Sequence, residues 1–557
     1  MPDVLHGIGV SPGIAAGPAY RIGEPPRLPP PRLVTDAPAE IALAVGALAS
    51  VAADLDRRAE STVDATAADV LRAQAMMATD PVLHETIADS IRAGADAGHA
   101  LHAAFGEFRR QFEAAGGYLA ERAADLDDVR DRAVAVCLGQ PMPGVPQPGH
   151  PFVLVARDLA PADTAGLDPR QVLALVTEAG GPTSHTAIVA RSLGLPAVVR
   201  CDGASRIADA DPVTVDGTTG RVEVGVDEAT MALAHEREQR RRARLSTSAG
   251  PGRTADGHPV ALLANIGSAS DLASAEADGA EGVGLFRTEL LYLDRAVAPT
   301  FAEQVAAYEA VFASAAGRRV VVRTLDAGAD KPLRFLQQED EPNPALGVRG
   351  LRLGRRYPEV LRTQLDAVAQ AARAAEANVW VMAPMVATAA EASEFAALCR
   401  EAGLSIAGVM VEIPSAALRA ADLVATVDFL SIGTNDLSQY TFAADRQCGE
   451  LADLLDPWQP ALLQLVAACT AAGRAASKPV GVCGEAAADP GLALVLVGLG
   501  VSSLSMSPRA IPEVRESLAA HSLAECQRFA EAALASADAA AARETVLGAA
   551  FTADSAR

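Results

Sequence analysis

The second half of the chain holds eight short apolar runs, several of which end in residues able to do chemistry. They are VALLANI (260–266), GVGLFRTE (282–289), RVVVRTLD (319–326), VWVMAPMV (379–386), AGVMVEIP (407–414), DFLSIGTND (428–436), PVGVCGE (479–485) and SSLSMS (502–507). Their ends carry Arg287, Arg323, Asp326, Glu412, Asn435, Asp436 and Cys483. Arginine's planar fork matches phosphate and carboxylate two oxygens at a time. Arg287 and Arg323, with Glu412, Asp436 and Asn435 around one mouth, point to an anionic, phosphorylated substrate held with a hard metal. Mg²⁺ takes octahedral oxygen coordination, commonly from one or two protein carboxylates plus substrate and water, which suits Glu412 and Asp436. Arg349, in NPALGVRGLR, and Arg446, in TFAADR, follow two of the runs and could clamp the same anion. Taken singly, each is more often a surface ion-pair partner.

A second candidate lies upstream, at GGPTSHTAIVARSLGLP (180–196). Two glycines and Pro182 make a tight turn, Thr183, Ser184 and Thr186 supply hydroxyls, and from Ala187 the spacing reads as a helix. His185 therefore sits at a helix N-terminus, where free N–H groups and the positive dipole end favour an anion. An imidazole nitrogen there can take a phosphoryl group as a covalent nucleophile. A lone histidine is more often a capped or buried structural residue, and the glycine turn, hydroxyls and helix start are what reverse that preference. No second ligand lies at i+3 or i+4, so metal binding by His185 is not expected.

Elements must exist to position these groups. Eight β-like runs, most separated by Ala-rich helical stretches such as AAEASEFAALCREAG, form the pattern of a (β/α)8 barrel, whose reacting groups project from the C-terminal strand ends. Polar residues that merely terminate strands would account for one or two of the set. Upstream, residues 4–23 read as strand and turn, and EPPRLPPPRL then stops any regular element. Residues 38–139 read as a four-helix-like block, and PMPGVPQPGHP ends it. Short strands (FVLVA, VLALVTE, PAVVR, DPVTVDG, RVEVGV) and one helix follow. The expected organisation is an α/β domain (1–25 and 141–226) carrying an inserted helical subdomain (26–140), a linker helix with a hinge (227–253), and the barrel (254–557). An anion site with a metal in one domain and a candidate phosphohistidine in another imply phosphoryl transfer between them.

Composition narrows the classes. The 557 residues include 47 Lys+Arg and 70 Asp+Glu, a net charge of −23, with 21% charged and 50% hydrophobic. That length divides into about three to five units, and the hydrophobic content excludes global disorder. Nucleic acid is not an expected partner, because the only basic run, RRRAR near residue 240, reads as a solvated helix face close to the negative end of its dipole. Seven scattered cysteines, none in a C-x2-C spacing, indicate neither disulfides nor a thiolate zinc site and fit a reducing cytoplasm. The start has no basic and apolar leader pattern, and the run Gly491–Val501 is too short to span a bilayer, so no membrane association is expected.

The chain resembles enzyme I of the phosphoenolpyruvate (PEP):sugar phosphotransferase system. The likeness runs through GIGVSPGIAAG, YLAERAADLDDVRDR, GGPTSHTAIVARSLGLPAVV, GVGLFRTELLYLDR, VRTLDAGADKPL, NPALGVRGLR, MVEIPSA, GTNDLSQYTFAADR and GVCGEAA, nearly the whole length. The resemblance implies that His185 is phosphorylated on Nε2, that Arg287 and Arg323 bind the PEP phosphate, and that Glu412 and Asp436 hold Mg²⁺. It implies that Asn435 and Arg446 complete the PEP site and that Cys483, as a thiol of roughly neutral-range pKa, protonates the departing enolate. The helical insert would dock the phosphocarrier protein HPr, and the chain would form a homodimer through the barrel. Pro182 stands where many members have arginine. Pyruvate phosphate dikinase and PEP synthase share these parts but need an ATP-binding domain, for which the insert is too short and lacks a Gly-rich loop. A non-catalytic PEP- or HPr-binding regulatory paralogue would be expected to have lost His185, Cys483 or a metal carboxylate, and all are present.

Overall fold

The computed structural model describes residues 2–23, 25–61, 65–115, 123–140, 142–159, 163, 167–181, 185–293, 295–328, 333–336, 341–446 and 448–551. One compact unit comprises Met1–Gly180 with His185–Glu238, and the other is built on Gln239–Arg557.

The first unit is organised on an eight-stranded sheet of β1 (Asp3–His6), β2 (Ile8–Ser11), β3 (Ile14–Arg21), β4 (Phe152–Ala156), β5 (Val172–Thr177), β6 (Ala197–Val199), β7 (Pro212–Asp216) and β8 (Arg221–Val224), in the order β1-β8-β7-β3-β4-β5-β6-β2. Strands β3 and β4 pair in parallel, with Ala19, Tyr20 and Arg21 opposite Val153, Leu154 and Val155. The helical block enters between these two neighbours, so it is an insertion that leaves the sheet intact. Alternation along β4 serves both faces: Phe152 and Leu154 join one core with Ala187 and Ala190, while Val153 and Val155 join another with Val176, Val198 and Val213.

The insert contains five described helices, α1 (Ala37–Ser61), α2 (Ala65–Ala78), α3 (Pro81–Arg92), α4 (Ala97–Ala115) and α5 (Ala123–Cys137), where a four-helix-like block was expected. The added division falls before α3. The Asp80 carboxylate accepts hydrogen bonds from the N–H groups of Val82 (2.8 Å) and Leu83 (2.9 Å), and Pro81 occupies the first helical position. Gly94, at φ +108°, then turns the chain into α4. Helix α1 is long and apolar enough to cross a membrane by length and composition, a feature the sequence reading did not single out. Its Ala44, Ala47, Leu48, Val51 and Leu55 are buried in the helical core with Leu83, Ile87, Leu101 and Phe105, as in the core helix of a bundle. On α5, Asp128 pairs with Arg132 (2.8 Å) and Asp131 with Arg130 (2.7 Å), so part of the insert's negative charge is neutralised locally.

Helix α6 (His185–Leu193) lies on the sheet through Ala187 and Ala190, and α7 (Glu228–Thr247) carries the basic run. That run is not simply solvated. Arg241 pairs with Glu513, and Arg244 with Glu516 at 2.5 Å, on the helix Ile511–Ala520.

The second unit contains a closed parallel barrel of β9 (Ala261–Ile266), β10 (Val283–Arg287), β11 (Val320–Arg323), β12 (Val379–Ala383), β13 (Ala407–Val411), β14 (Phe429–Ile432), β15 (Val480–Val482) and β16 (Ser503–Met506). Closure comes from β16 on β9, with Ser503 to Met506 opposite Ala261 to Ala264. All eight expected runs form strands, but shorter ones. The GVGLFRTE strand stops at Arg287 because Glu289–Leu291 makes a one-turn 3-10 helix, and the DFLSIGTND strand stops at Ile432 because Thr434 opens a helix.

Pleating decides which residues reach the barrel mouth. Leu285, Val321, Met410 and Cys483 share the inner core cluster with Met382 and Phe429, whereas Phe286, Val320, Val322 and Val409 pack outward against the helices. Side chains two apart in a strand share a face. Arg287, Arg323 and Glu412 follow Leu285, Val321 and Met410 by two residues, and so continue the inward rows to the C-terminal end.

Candidate active site

At the mouth of the barrel, the side chains form one linked cluster. Buried Arg323 donates from Nη2 to Glu289 Oε1 at 2.6 Å and pairs through Nη1 with Asp326 Oδ2 at 3.1 Å. Its Nε is buried without a hydrogen-bond partner among the described residues. Burial alone would lower the guanidinium's pKa, but the charges of Glu289, Asp326 and Glu412 more than offset it, and it is raised. Arg349, 1% exposed, reaches Asp326 from Nη2 (3.2 and 3.3 Å) and Asp436 from Nη1 (3.3 Å). Arg446 Nη1 lies 3.7 Å from the other Asp436 oxygen. Arg323, Asp326, Arg349, Asp436 and Arg446 are thus joined through shared carboxylates.

Glu412 is buried beside them and accepts the Met385 N–H at 2.5 Å. A Cβ on Gly433 would fall 3.1 Å from its other oxygen, so glycine leaves the room this carboxylate occupies. Burial, then the neighbouring charges of Asp326 and Asp436, push the Glu412 carboxyl up to about 8, against the pull of Arg323 and Arg349. The acids here repel one another more than the arginines relieve.

Asn435 and Asp436 stand in the first turn of the helix Thr434–Phe442, beyond the strand itself. Asn435 Oδ1 accepts the Glu485 N–H at 3.1 Å, tying that helix to the loop that carries Cys483. The Cys483 N–H donates to Ile432 O (3.0 Å), and its carbonyl accepts from Asn265 Nδ2 (3.1 Å). The thiol is buried, which pushes it up to about 11 although a Ser431 hydrogen bond and the charges of Arg323 and Arg287 act the other way. A neutral-range thiol was expected. Burial overrides the nearby arginines, and the sulfur keeps its proton through neutral pH. Arg287 ends β10 with an exposed side chain.

His185 is the first residue of α6, in the first unit; Pro182, Thr183 and Ser184 lie outside the described residues. Next to it, Thr186 is buried and its hydroxyl finds no partner among the described residues. Sequence reasoning missed Glu289, Thr288 and Gln364. Glu289 closes the GVGLFRTE run and was available as a charged residue at a strand end; Gln364 sits mid-helix with no local signal.

Comparisons with known proteins identify the family. The model of the PEP-utilising enzyme PEP-binding domain matches residues 241–523, that of the mobile domain 148–220, and that of the N-terminal domain 6–122. A phosphoenolpyruvate-protein phosphotransferase of Streptomyces coelicolor is 54% identical over 539 residues, covering 96% of this chain and 97% of that protein. The chain belongs to the phosphoenolpyruvate-protein phosphotransferase family. Similarly named proteins of Staphylococcus carnosus (39% identical over 560 residues; 96% and 97% covered) and Bacillus subtilis (38% over 552; 95% and 96%) share its length.

PEP-utilising enzymes are generally Mg²⁺-dependent. Among the described residues, no group of three or more His, Cys, Asp or Glu is placed to hold an ion. The mouth instead offers Glu412 and Asp436, two hard oxygen donors whose mutual repulsion a divalent cation would relieve. That donor set fits Mg²⁺ completing its shell with substrate and water.

Proposed function

We propose that this protein takes the phosphoryl group of PEP onto His185 and passes it to the histidine of the phosphocarrier HPr, the first step of the PEP-dependent sugar phosphotransferase system. The observation that carries the reading is the linked arginine and carboxylate cluster at the barrel mouth with a buried thiol beside it. Arg287 and Arg323 hold the phosphate, and Asn435 and Arg446 complete the PEP site. Glu412 and Asp436 would hold Mg²⁺, which when bound supplies positive charge to the substrate oxygens. His185 Nε2 bonds to phosphorus as the bond from phosphorus to the enol oxygen breaks, and the electron pair leaves with the enolate. The Cys483 thiol then gives its proton to the methylene carbon, yielding pyruvate, and regains one from solvent. Fixed positive charge around the group in flight supplies most of the stabilisation.

The helical insert is the HPr-docking element in this reading. The cytoplasm is the working compartment in this reading, which suits a chain whose seven cysteines are all free. The active form is a homodimer through the barrel, and sedimentation showing only monomer at micromolar concentration with PEP and Mg²⁺ would contradict this.

Incubation with PEP, HPr and titrated Mg²⁺ tests the activity. Wild type is expected to release one pyruvate for each HPr phosphorylated, and no pyruvate at any Mg²⁺ concentration would overturn the proposal. Glu412→Gln removes one of the two hard donors and is expected to raise the Mg²⁺ needed for half-maximal rate by more than about tenfold. An unchanged Mg²⁺ requirement would remove Glu412 from the metal site.

A further inference from the structure

We infer that Glu289 is a positioning residue that sets the direction of Arg323 for the substrate phosphate. The inference rests on the reading of Arg323 as a phosphate ligand and adds the group that aims it. A guanidinium has five donors in a fixed fork, so anchoring one edge determines where the others can reach. Here Nη2 is anchored on Glu289 at 2.6 Å, Nη1 lies against Asp326 at 3.1 Å, and buried Nε is left without a partner among the described residues.

Glu289 is itself buried, on the one-turn helix that follows β10. Its Oε1 accepts a second hydrogen bond, from the Asp326 N–H at 3.2 Å. One oxygen therefore fixes both the guanidinium and the backbone of the residue on the guanidinium's other side.

The strand end has separate supports. Thr288 Oγ1 donates to Arg323 O at 2.9 Å, Gln364 Oε1 accepts from Leu325 N at 2.9 Å, and Gln364 Nε2 donates to Thr288 Oγ1 at 3.0 Å. Removing the Glu289 carboxylate leaves these bonds in place and releases the Arg323 guanidinium together with the Asp326 N–H. The acids that remain close to the guanidinium are Asp326 and Glu412. A released guanidinium would turn toward the carboxylates on the metal side and away from the phosphate. Misplacing a positioning group by about 1 Å costs about a hundredfold in rate.

The test compares E289A, E289Q, R323A and the double variant E289A/R323A, with KM for PEP and kcat measured at saturating Mg²⁺ and the fold checked by circular dichroism and thermal midpoint. E289A is expected to raise KM at least about tenfold and to lower kcat/KM about a hundredfold. In E289Q the amide oxygen can accept both bonds, and KM is expected to return to within about threefold of wild type. Adding E289A to R323A is expected to cost less than about threefold more, because a residue acting through Arg323 has nothing left to position. If E289A does not fold, E289D, which withdraws the oxygen by one methylene, is held to the same criteria. A wild-type KM in E289A, no rescue in E289Q, or losses that multiply in the double variant would overturn the inference. A wild-type KM in R323A would instead overturn the reading of Arg323 on which it rests.

Discussion

Cys483→Ala is expected to lower kcat for pyruvate formation from PEP by about 10²- to 10⁴-fold, the usual contribution of a positioned general acid, and to change KM by no more than a few-fold. The enolate that leaves phosphorus needs a proton on carbon, and in this reading the Cys483 thiol is the donor. Its environment suits an acid and not a nucleophile. A thiolate nucleophile needs a lowered pKa and electropositive, accessible surroundings, whereas burial here pushes the thiol up to about 11. The sign follows directly: an acid acts in its protonated form, a raised pKa keeps that form populated, and activity is lost as pH rises through about 11, not as it falls. The thiol-controlled limb of the kcat profile should therefore lie far above neutrality. An alanine variant with wild-type kcat, or a limb near pH 7 that disappears in that variant, would remove Cys483 from the role.

Much of this site could be read before any coordinates, for a physical reason. Strand pleating has period two, so an apolar run that ends in an arginine or acid also says which face that residue continues. Leu285 with Arg287, Val321 with Arg323 and Met410 with Glu412 show this directly. Asp80 and Pro81 are strong start signals, and weighing them would have divided the helical block as the structure does.

Other features are not local. Gln364 meets Thr288 and Leu325 only after the strand ends and the helix Pro358–Ala374 have packed. The basic run on α7 reads as solvated until the acids of Ile511–Ala520 are placed against it. The Cys483 pKa depends on burial, and no spacing of residues carries that information. Glu289 closes the GVGLFRTE run, but its bond to Arg323 joins residues 34 apart and exists only once β10 and β11 lie side by side.

The largest effect of all is expected at His185. In the proposed chemistry it is the covalent acceptor, so its loss removes the intermediate itself, where the loss of a ligand or acid only slows formation. Its place at the start of α6 puts the N-terminal N–H groups and the positive dipole end where an incoming anion is favoured. The bond formed joins nitrogen to phosphorus. Protonation of the imidazole makes it a good leaving group, which is why such a phosphoryl group is lost in acid and kept in base.

The direct measurement is the stoichiometry and lability of label on the protein after incubation with phosphoryl-labelled PEP and Mg²⁺. The wild type should take up about one label per chain, lost in acid, stable in base and located on His185, and His185→Ala should take up none. No label on the wild type, or equal label on His185→Ala, would contradict the account.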